Sequence, residues 1–188
     1  MTSALVERLR SRLRADQVRD TAAELHLYRH DASNMSGQPA VVCFAETVDD
    51  VREAVRAAND FGVPFVARGS GTGLAGGAVP APGSIVISTS KMNRILSVDA
   101  VNRQAWVEPG VLNLDLSKQI AHLGVHFAPD PSSQQTCSIG GNVANNSGGP
   151  HCLADGVTSA HIHAVEVVLP DGSIAVLGGE DAEPDGYD

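Results

Sequence analysis

The sequence has few cysteines, little positive charge and no long apolar run. Cys43, Cys137 and Cys152 are odd in number and irregularly spaced, and no CxxC pair exists. A zinc site or an iron–sulfur cluster built by this chain alone is therefore not expected, and the cysteines read as reduced thiols of a cytoplasmic protein. Lysine and arginine total 13 against 22 acidic residues, a net charge of −9. Electrostatic attraction to nucleic acid or to an anionic membrane surface is not expected of such a chain. The N-terminus has no apolar core of a signal peptide, and no stretch approaches a transmembrane segment. Internal repeats are absent.

Glycine, by contrast, is plentiful and clustered. The 188 residues suit one domain or slightly more, of ordinary soluble composition. The chain is organised around Arg68-Gly69-Ser70-Gly71-Thr72-Gly73-Leu74-Ala75-Gly76-Gly77-Ala78. This loop follows an apolar strand candidate, Val63–Ala67. Its glycines remove the Cβ atoms that would hold a ligand off the backbone, and successive N–H groups can converge on an anion. Gly71-x-Gly73-x-x-Gly76 is formally a dinucleotide fingerprint, but that motif requires a helix to open within it. Two prolines and two glycines in Gly77–Gly83 exclude the helix. A P-loop is excluded because no Gly-Lys-Ser/Thr follows.

Around this loop the elements read in order. Leu5, Val6, Leu9 and Leu13 make an amphipathic helix over 4–14, with its arginines on a solvated face. Residues 31–37 read as a loop. Ala40–Phe44 is a buried strand, followed by a helix opened by Thr47 and Asp50 in a capping box and ended by Gly62. Two apolar strands joined by a helix imply parallel pairing with a right-handed crossover. Further strands are expected at 85–87, 95–98 and 105–107, a helix at 112–123, and a hairpin of 162–169 with 173–177 across Pro170-Asp171-Gly172. The fold class is α+β in two lobes, about 1–90 and about 91–188. The second lobe carries a mainly antiparallel sheet. Gly178 to Asp188 closes no element, so the chain reads as a fragment of a longer protein.

A second segment, Pro129-Asp130-Pro131-Ser132-Ser133 followed by Cys137-Ser138-Ile139-Gly140-Gly141-Asn142-Val143-Ala144-Asn145-Asn146-Ser147-Gly148-Gly149, combines paired glycines with small amide and hydroxyl side chains. Alone it reads as a polar turn with Asn145-Asn146 in the left-handed region. Two such segments far apart in sequence suit a long dinucleotide better than a small anion.

Together with His151-Cys-Leu-x-x-Gly156 and Val165–Gly172, these segments resemble the FAD-linked oxidases of the vanillyl-alcohol oxidase superfamily, with their PCMH-type FAD-binding domain. The resemblance runs from about Tyr28 to the end and is nearest to the glycolate oxidase FAD-subunit and D-lactate dehydrogenase branch. It implies two lobes with FAD between them, and a C-terminal substrate domain that is absent here. Arg68, Gly69, Ser70, Gly71, Thr72, Gly73 and Leu74 would hold the pyrophosphate. Pro129, Asp130 and Thr136 would lie along the flavin. Gly141, Asn142, Ala144, Asn145 and Gly148 would line the cofactor, and Val167 would meet the adenine through its backbone. Covalent-flavin relatives carry a histidine where this chain has Thr72, which implies dissociable, non-covalent FAD.

The implied reaction is oxidation of a D-2-hydroxy acid by hydride transfer to FAD, with electrons leaving to a partner subunit or a quinone. The implied location is cytoplasmic, or peripheral to the inner membrane through that partner. A non-enzymic FAD or assembly module and an aldonolactone oxidase relative stay open as alternatives. No residue stands out as the catalytic base, and no metal ligands are assigned. His161 and His163 read as a packed or surface pair on one face of a strand. His151 adjoins the second glycine segment and could approach the flavin, but it reads rather as a loop histidine bonded to backbone. Lys91 and Arg94 read as surface charges or as phosphate contacts.

Overall fold

The computed structural model describes residues 2–179. Helix α1 (Thr2–Arg10) leads through a short 3-10 turn to strand β1 (Val18–Arg19) and helix α2 (Ala22–Leu27). Strand β2 (Val41–Phe44), helix α3 (Val48–Phe61) and strand β3 (Phe65–Arg68) follow, then strand β4 (Ile85–Ser88). Both halves of the expected capping box are formed at α3. Asp50 N donates to Thr47 Oγ1, and Thr47 N donates to Asp50 Oδ2. Gly62 ends α3 at φ 61°, the left-handed region that glycine enters without a Cβ penalty.

The first sheet departs from the sequence expectation in strand order. β2 and β3 run parallel, but β4 lies between them, in the order β1-β2-β4-β3. Ile85-Val86-Ile87 is buried throughout, whereas Phe65 of β3 is 40% exposed. The strand that is apolar on both faces takes the centre, where both faces are covered, and β3 is left at the edge. Val41, Cys43, Ile85 and Ile87 share one face and pack with Leu5 and Leu9 of α1 and Ala54, Val55 and Ala58 of α3. The helix expected over 4–14 ends at Arg10, although Leu13 still reaches this core.

Beyond the first sheet come strands β5 (Ile95–Asp99) and β6 (Gln104–Val107), helix α4 (Asn113–Ile120), helix α5 (Ile139–Asn145), helix α6 (Cys152–Asp155), and strands β7 (Ala164–Val168) and β8 (Ile174–Gly178). β5–β6 and β7–β8 are antiparallel pairs, each closed by a short connection. The expected hairpin turns at Gly172, with φ 81°, and Asp171 Oδ1 accepts from Ser173 N and Oγ. A second core gathers Val111, Leu116, Ile120 and Ile139, with Ile95, Val107 and Phe127 against it.

Two backbone approaches join the cores. A Cβ on Gly110 would lie 2.3 Å from Thr89 O, and one on Gly140 would lie 2.6 Å from Pro109 Cβ. Between them Glu108, 7% exposed, accepts from Arg94 N at 2.8 Å and from Arg94 Nη2 at 2.6 Å. The Arg94 hydrogen bonds hold this carboxyl below its ordinary value, against the opposing effect of burial.

Candidate functional site

The β3 strand delivers Arg68 to the start of the glycine loop. Its side chain is 9% exposed, and Nη1 donates to His30 O at 2.7 Å. The guanidinium lies 5.4 Å from the centre of the Tyr28 ring, a cation–π distance. No carboxylate lies within ion-pair distance of it among the described residues. Burial pulls the Arg68 pKa down, with the Asp31 charge opposing. A buried cation on this strand thus lacks an ion-pair partner among the described residues.

The loop itself carries donors. Among the described residues, no backbone N–H from Gly69 to Leu74 donates to another protein group. Gly71 has φ 71°, and a Cβ there would stand 2.2 Å from Arg68 Nη2. Glycine is required at this position on both counts, and its absent side chain leaves room for the Arg68 head beneath the loop. From the other side the segment after α2 holds the loop down. Ala32 N donates to Gly73 O, and Met35 Sδ fills the space at Gly76.

The second glycine segment meets the first here. A Cβ on Gly69 would lie 2.2 Å from Ser138 Oγ, and one on Gly73 would lie 3.5 Å from Asn145 Oδ1. Ser138 caps α5, its Oγ accepting from Gly141 N at 3.3 Å. Where a polar turn was expected, Ile139–Asn145 is helical, and Asn146 alone takes the left-handed conformation, with φ 45°. The first-turn donors of α5 are spent inside the protein, Ile139 N on Val111 O and Gly140 N on Pro109 O. The open donors of this region therefore belong to the first loop.

Other expected residues fall into distinct places. Asn142 is 1% exposed, and its side chain bonds Asn113 and Cys137, so it faces the interior. Pro129 is buried, and its carbonyl accepts from Asn113 Nδ2 at 2.9 Å. Gly141 and Ala144 lie along α5, where Gly141 O accepts from Asn145 Nδ2. Gly148 rests against Cys152 Sγ, and Thr136 bonds back to Ser133 O. Val167 sits in β7 opposite Ala175, and the contacts that join the two glycine segments do not include it.

Asp130 is joined to His151 rather than left to line a pocket alone. His151 Nδ1 and Asp130 Oδ2 are 2.5 Å apart. The sequence expectation of a backbone-bonded His151 is thus replaced by a carboxylate-bonded one. The Asp130 hydrogen bond raises the His151 pKa, and the same bond lowers that of Asp130. His161 closes a 3-10 turn over Thr158–His161 and bonds Asp155 O, and His163 precedes β7, so the two do not share a strand. Arg94 is spent on Glu108 and Lys91 on Glu46.

Sequence reasoning missed Ser138, Tyr28 and Asn113. Ser138 was findable as a small hydroxyl residue three positions before Gly141, an N-cap pattern. For Tyr28 and Asn113 the linear sequence carries no such signal.

FAD would need a donor-rich concavity for its pyrophosphate and glycine backbone that permits close approach. The N–H groups of Gly69–Leu74, open among the described residues, Arg68 beneath them with no carboxylate partner among those residues, and the meeting of two glycine segments fit that need.

The comparisons with known proteins agree with this fit. The sequence model of a family described as FAD binding domain matches residues 39–178. The chain is 37% identical over 188 residues to glycolate oxidase subunit GlcD of Escherichia coli K12, covering all of this chain and 38% of that protein. It is 37% identical over 153 residues to a D-lactate dehydrogenase of Anaerostipes hadrus, covering 80% of this chain and 32% of that one. The chain thus spans well under half the length of these curated relatives. Among solved structures, alkyldihydroxyacetonephosphate synthase superposes with a TM-score of 0.84 at 21% identity, over 98% of this chain and 36% of that chain. At that identity the likeness shows the fold alone. Among the described residues no helix is long and apolar enough to cross a membrane.

Proposed function

The chain belongs to the family of FAD binding domains matched over residues 39–178, and from that premise we propose that it is the cofactor-holding part of a D-2-hydroxy-acid dehydrogenase or oxidase of the glycolate or D-lactate type. The observation that carries this reading is the meeting of Gly69 with Ser138 and Gly73 with Asn145, beside N–H groups that are open and an Arg68 that lacks a carboxylate among the described residues. The chemistry that FAD supplies when bound is acceptance of a hydride from the substrate carbon. The residues of this chain hold and orient it. Gly69, Ser70, Gly71, Thr72, Gly73 and Leu74 offer backbone donors to the pyrophosphate, and Arg68 supplies the positive charge. Asn145 and Gly148 line the second side, and Asn142, Asn113 and the Pro129 carbonyl fix α5 and the Pro129 loop from within.

Thr72 offers no nucleophile suited to a flavin bond, so FAD is held without a covalent link. The substrate is a small 2-hydroxy acid, as the names of the relatives indicate. Electrons leave to a partner subunit or a quinone, in keeping with a relative named as a subunit. The two lobes divide at about residue 90.

The test is titration of the purified protein with FAD, followed by flavin absorbance and by thermal stability. Saturable binding that raises the melting temperature, with all flavin released on denaturation, is expected. Absence of FAD binding, or flavin that stays on the denatured chain, overturns the reading.

A further inference from the structure

Asp130 and His151 make a built pair to which the proposed function gives no role. The carboxylate is the inner member and the imidazole the outer, with side chains 21% and 70% exposed. Asp130 follows Pro129, whose carbonyl is tied to Asn113, itself bonded to Asn142. Its position also depends on Gly149, where a Cβ would stand 2.1 Å from Asp130 O and 2.2 Å from Asp130 Oδ1. The carboxylate is therefore anchored on the second glycine segment, and it fixes the ring through Nδ1. Nε2 has no partner among the described residues and is left at the surface.

Carboxylate bonding at Nδ1 fixes the tautomer and the ring plane, and it favours the doubly protonated ring. In that form Nε2–H is a charged donor, which forms stronger hydrogen bonds than a neutral one. The charged and titratable groups around His151 are Asp130 from the Pro129 segment and Asp155 from α6, both favouring a positive ring. Cys152, next in sequence, has its sulfur engaged by Gly149 N at 2.8 Å. Each glycine segment thus carries one side chain that can hold positive charge: Arg68 beneath the first and His151 at the end of the second. A dinucleotide with its charge on the pyrophosphate and further hydrogen-bond acceptors on its rings would meet both.

We propose that His151, oriented by Asp130, donates from Nε2–H to bound FAD, so that cofactor binding is coupled to protonation of this one imidazole. This rests on the reading that the chain binds FAD. Binding then takes up a proton above the titration of the free imidazole, and affinity falls by up to about tenfold per pH unit there.

The experiment measures the FAD dissociation constant of the protein between pH 5.5 and 9 by flavin fluorescence. His151→Gln, Asp130→Asn and His151→Arg are compared with the unaltered chain. The ring is exposed, so His151→Gln and His151→Arg are expected to melt within a degree or two of the parent. His151→Gln should bind more weakly at low pH and lose the pH dependence. Asp130→Asn should keep the dependence with its midpoint moved to lower pH. His151→Arg should bind well with no dependence on pH. A His151→Gln protein with the parent's affinity and pH profile overturns the proposal. FAD binding by the parent at no pH overturns the function itself, which separates the two failures.

Discussion

Asn113 donates from a single side-chain nitrogen to the Pro129 carbonyl at 2.9 Å and to Asn142 Oδ1 at 3.1 Å. Both asparagines are 1% exposed. Helix α4, the Pro129 loop and helix α5 are thereby fixed to one another through one buried amide. Such a group can be removed only by leaving its partners unpaired in the interior.

Replacement of Asn113 by alanine is accordingly expected to destabilise the protein by about 1–3 kcal/mol. Urea denaturation checks the stability. FAD affinity is expected to fall as well, because α5 presents Asn145 to the first loop. Unchanged stability would show that the network does not hold these elements.

Glycine substitutions should separate sharply by position. Gly71→Ala meets both the strain of φ 71° and the Arg68 guanidinium. It is expected to weaken FAD binding at least about tenfold, equivalent to about 1.4 kcal/mol. Gly77→Ala has nothing within 4 Å of the new Cβ and should bind like the parent. Gly69→Ala should also bind weakly, and adding Ser138→Ala should restore part of the loss, since Ser138 Oγ is the atom struck. Calorimetric titration with FAD distinguishes the set.

The three thiols should react at very different rates. Cys43 is 1% exposed, and burial pushes its pKa up to about 12, with the Asp50 charge adding to the effect. Cys137 is 4% exposed and engaged by Asn142. Cys152 is only half-buried. A thiol reagent at pH 8 is expected to label Cys152 first in the folded protein and all three on unfolding, as peptide mass mapping would show. Rapid native labelling of Cys43 would contradict the buried β2 face.

Glu108→Gln should lower the melting temperature near neutral pH by loosening Arg94. The folded carboxyl titrates below its ordinary 4.5. Its contribution is therefore present above about pH 4.5 and is lost as pH falls through the folded value. The gap in melting temperature between parent and variant should narrow below that pH. A gap that persists unchanged in acid would place the effect in packing rather than charge.

Much of the local structure was legible because local chemistry carries it. Thr47 with Asp50 announced the start of α3, Gly62 its end, and Asp171-Gly172 the hairpin turn. The prolines after Gly77 announced that no helix follows the first loop. Asn145-Asn146 was half right, since only Asn146 is left-handed. The helix at Ile139–Asn145 was hidden by its own glycines, which disfavour helix in isolation. Its stability comes from the Ser138 cap and from Val111, Pro109 and Asn113, all outside the segment. His161 and His163 were misplaced because the 3-10 turn before β7 has no apolar periodicity to reveal it.

By itself the sequence determined which segments could turn, cap or extend, and that two glycine segments lacked the side chains that keep a ligand away. Those properties depend on residues within a few positions of one another. Only the tertiary structure decided that β4 enters between β2 and β3. It alone set Arg68 against Tyr28 and the His30 carbonyl, and paired Asp130 with His151. These are contacts between residues tens of positions apart, and no local preference encodes them. They form because burying the apolar strands and satisfying the buried polar groups leaves the chain few other ways to close.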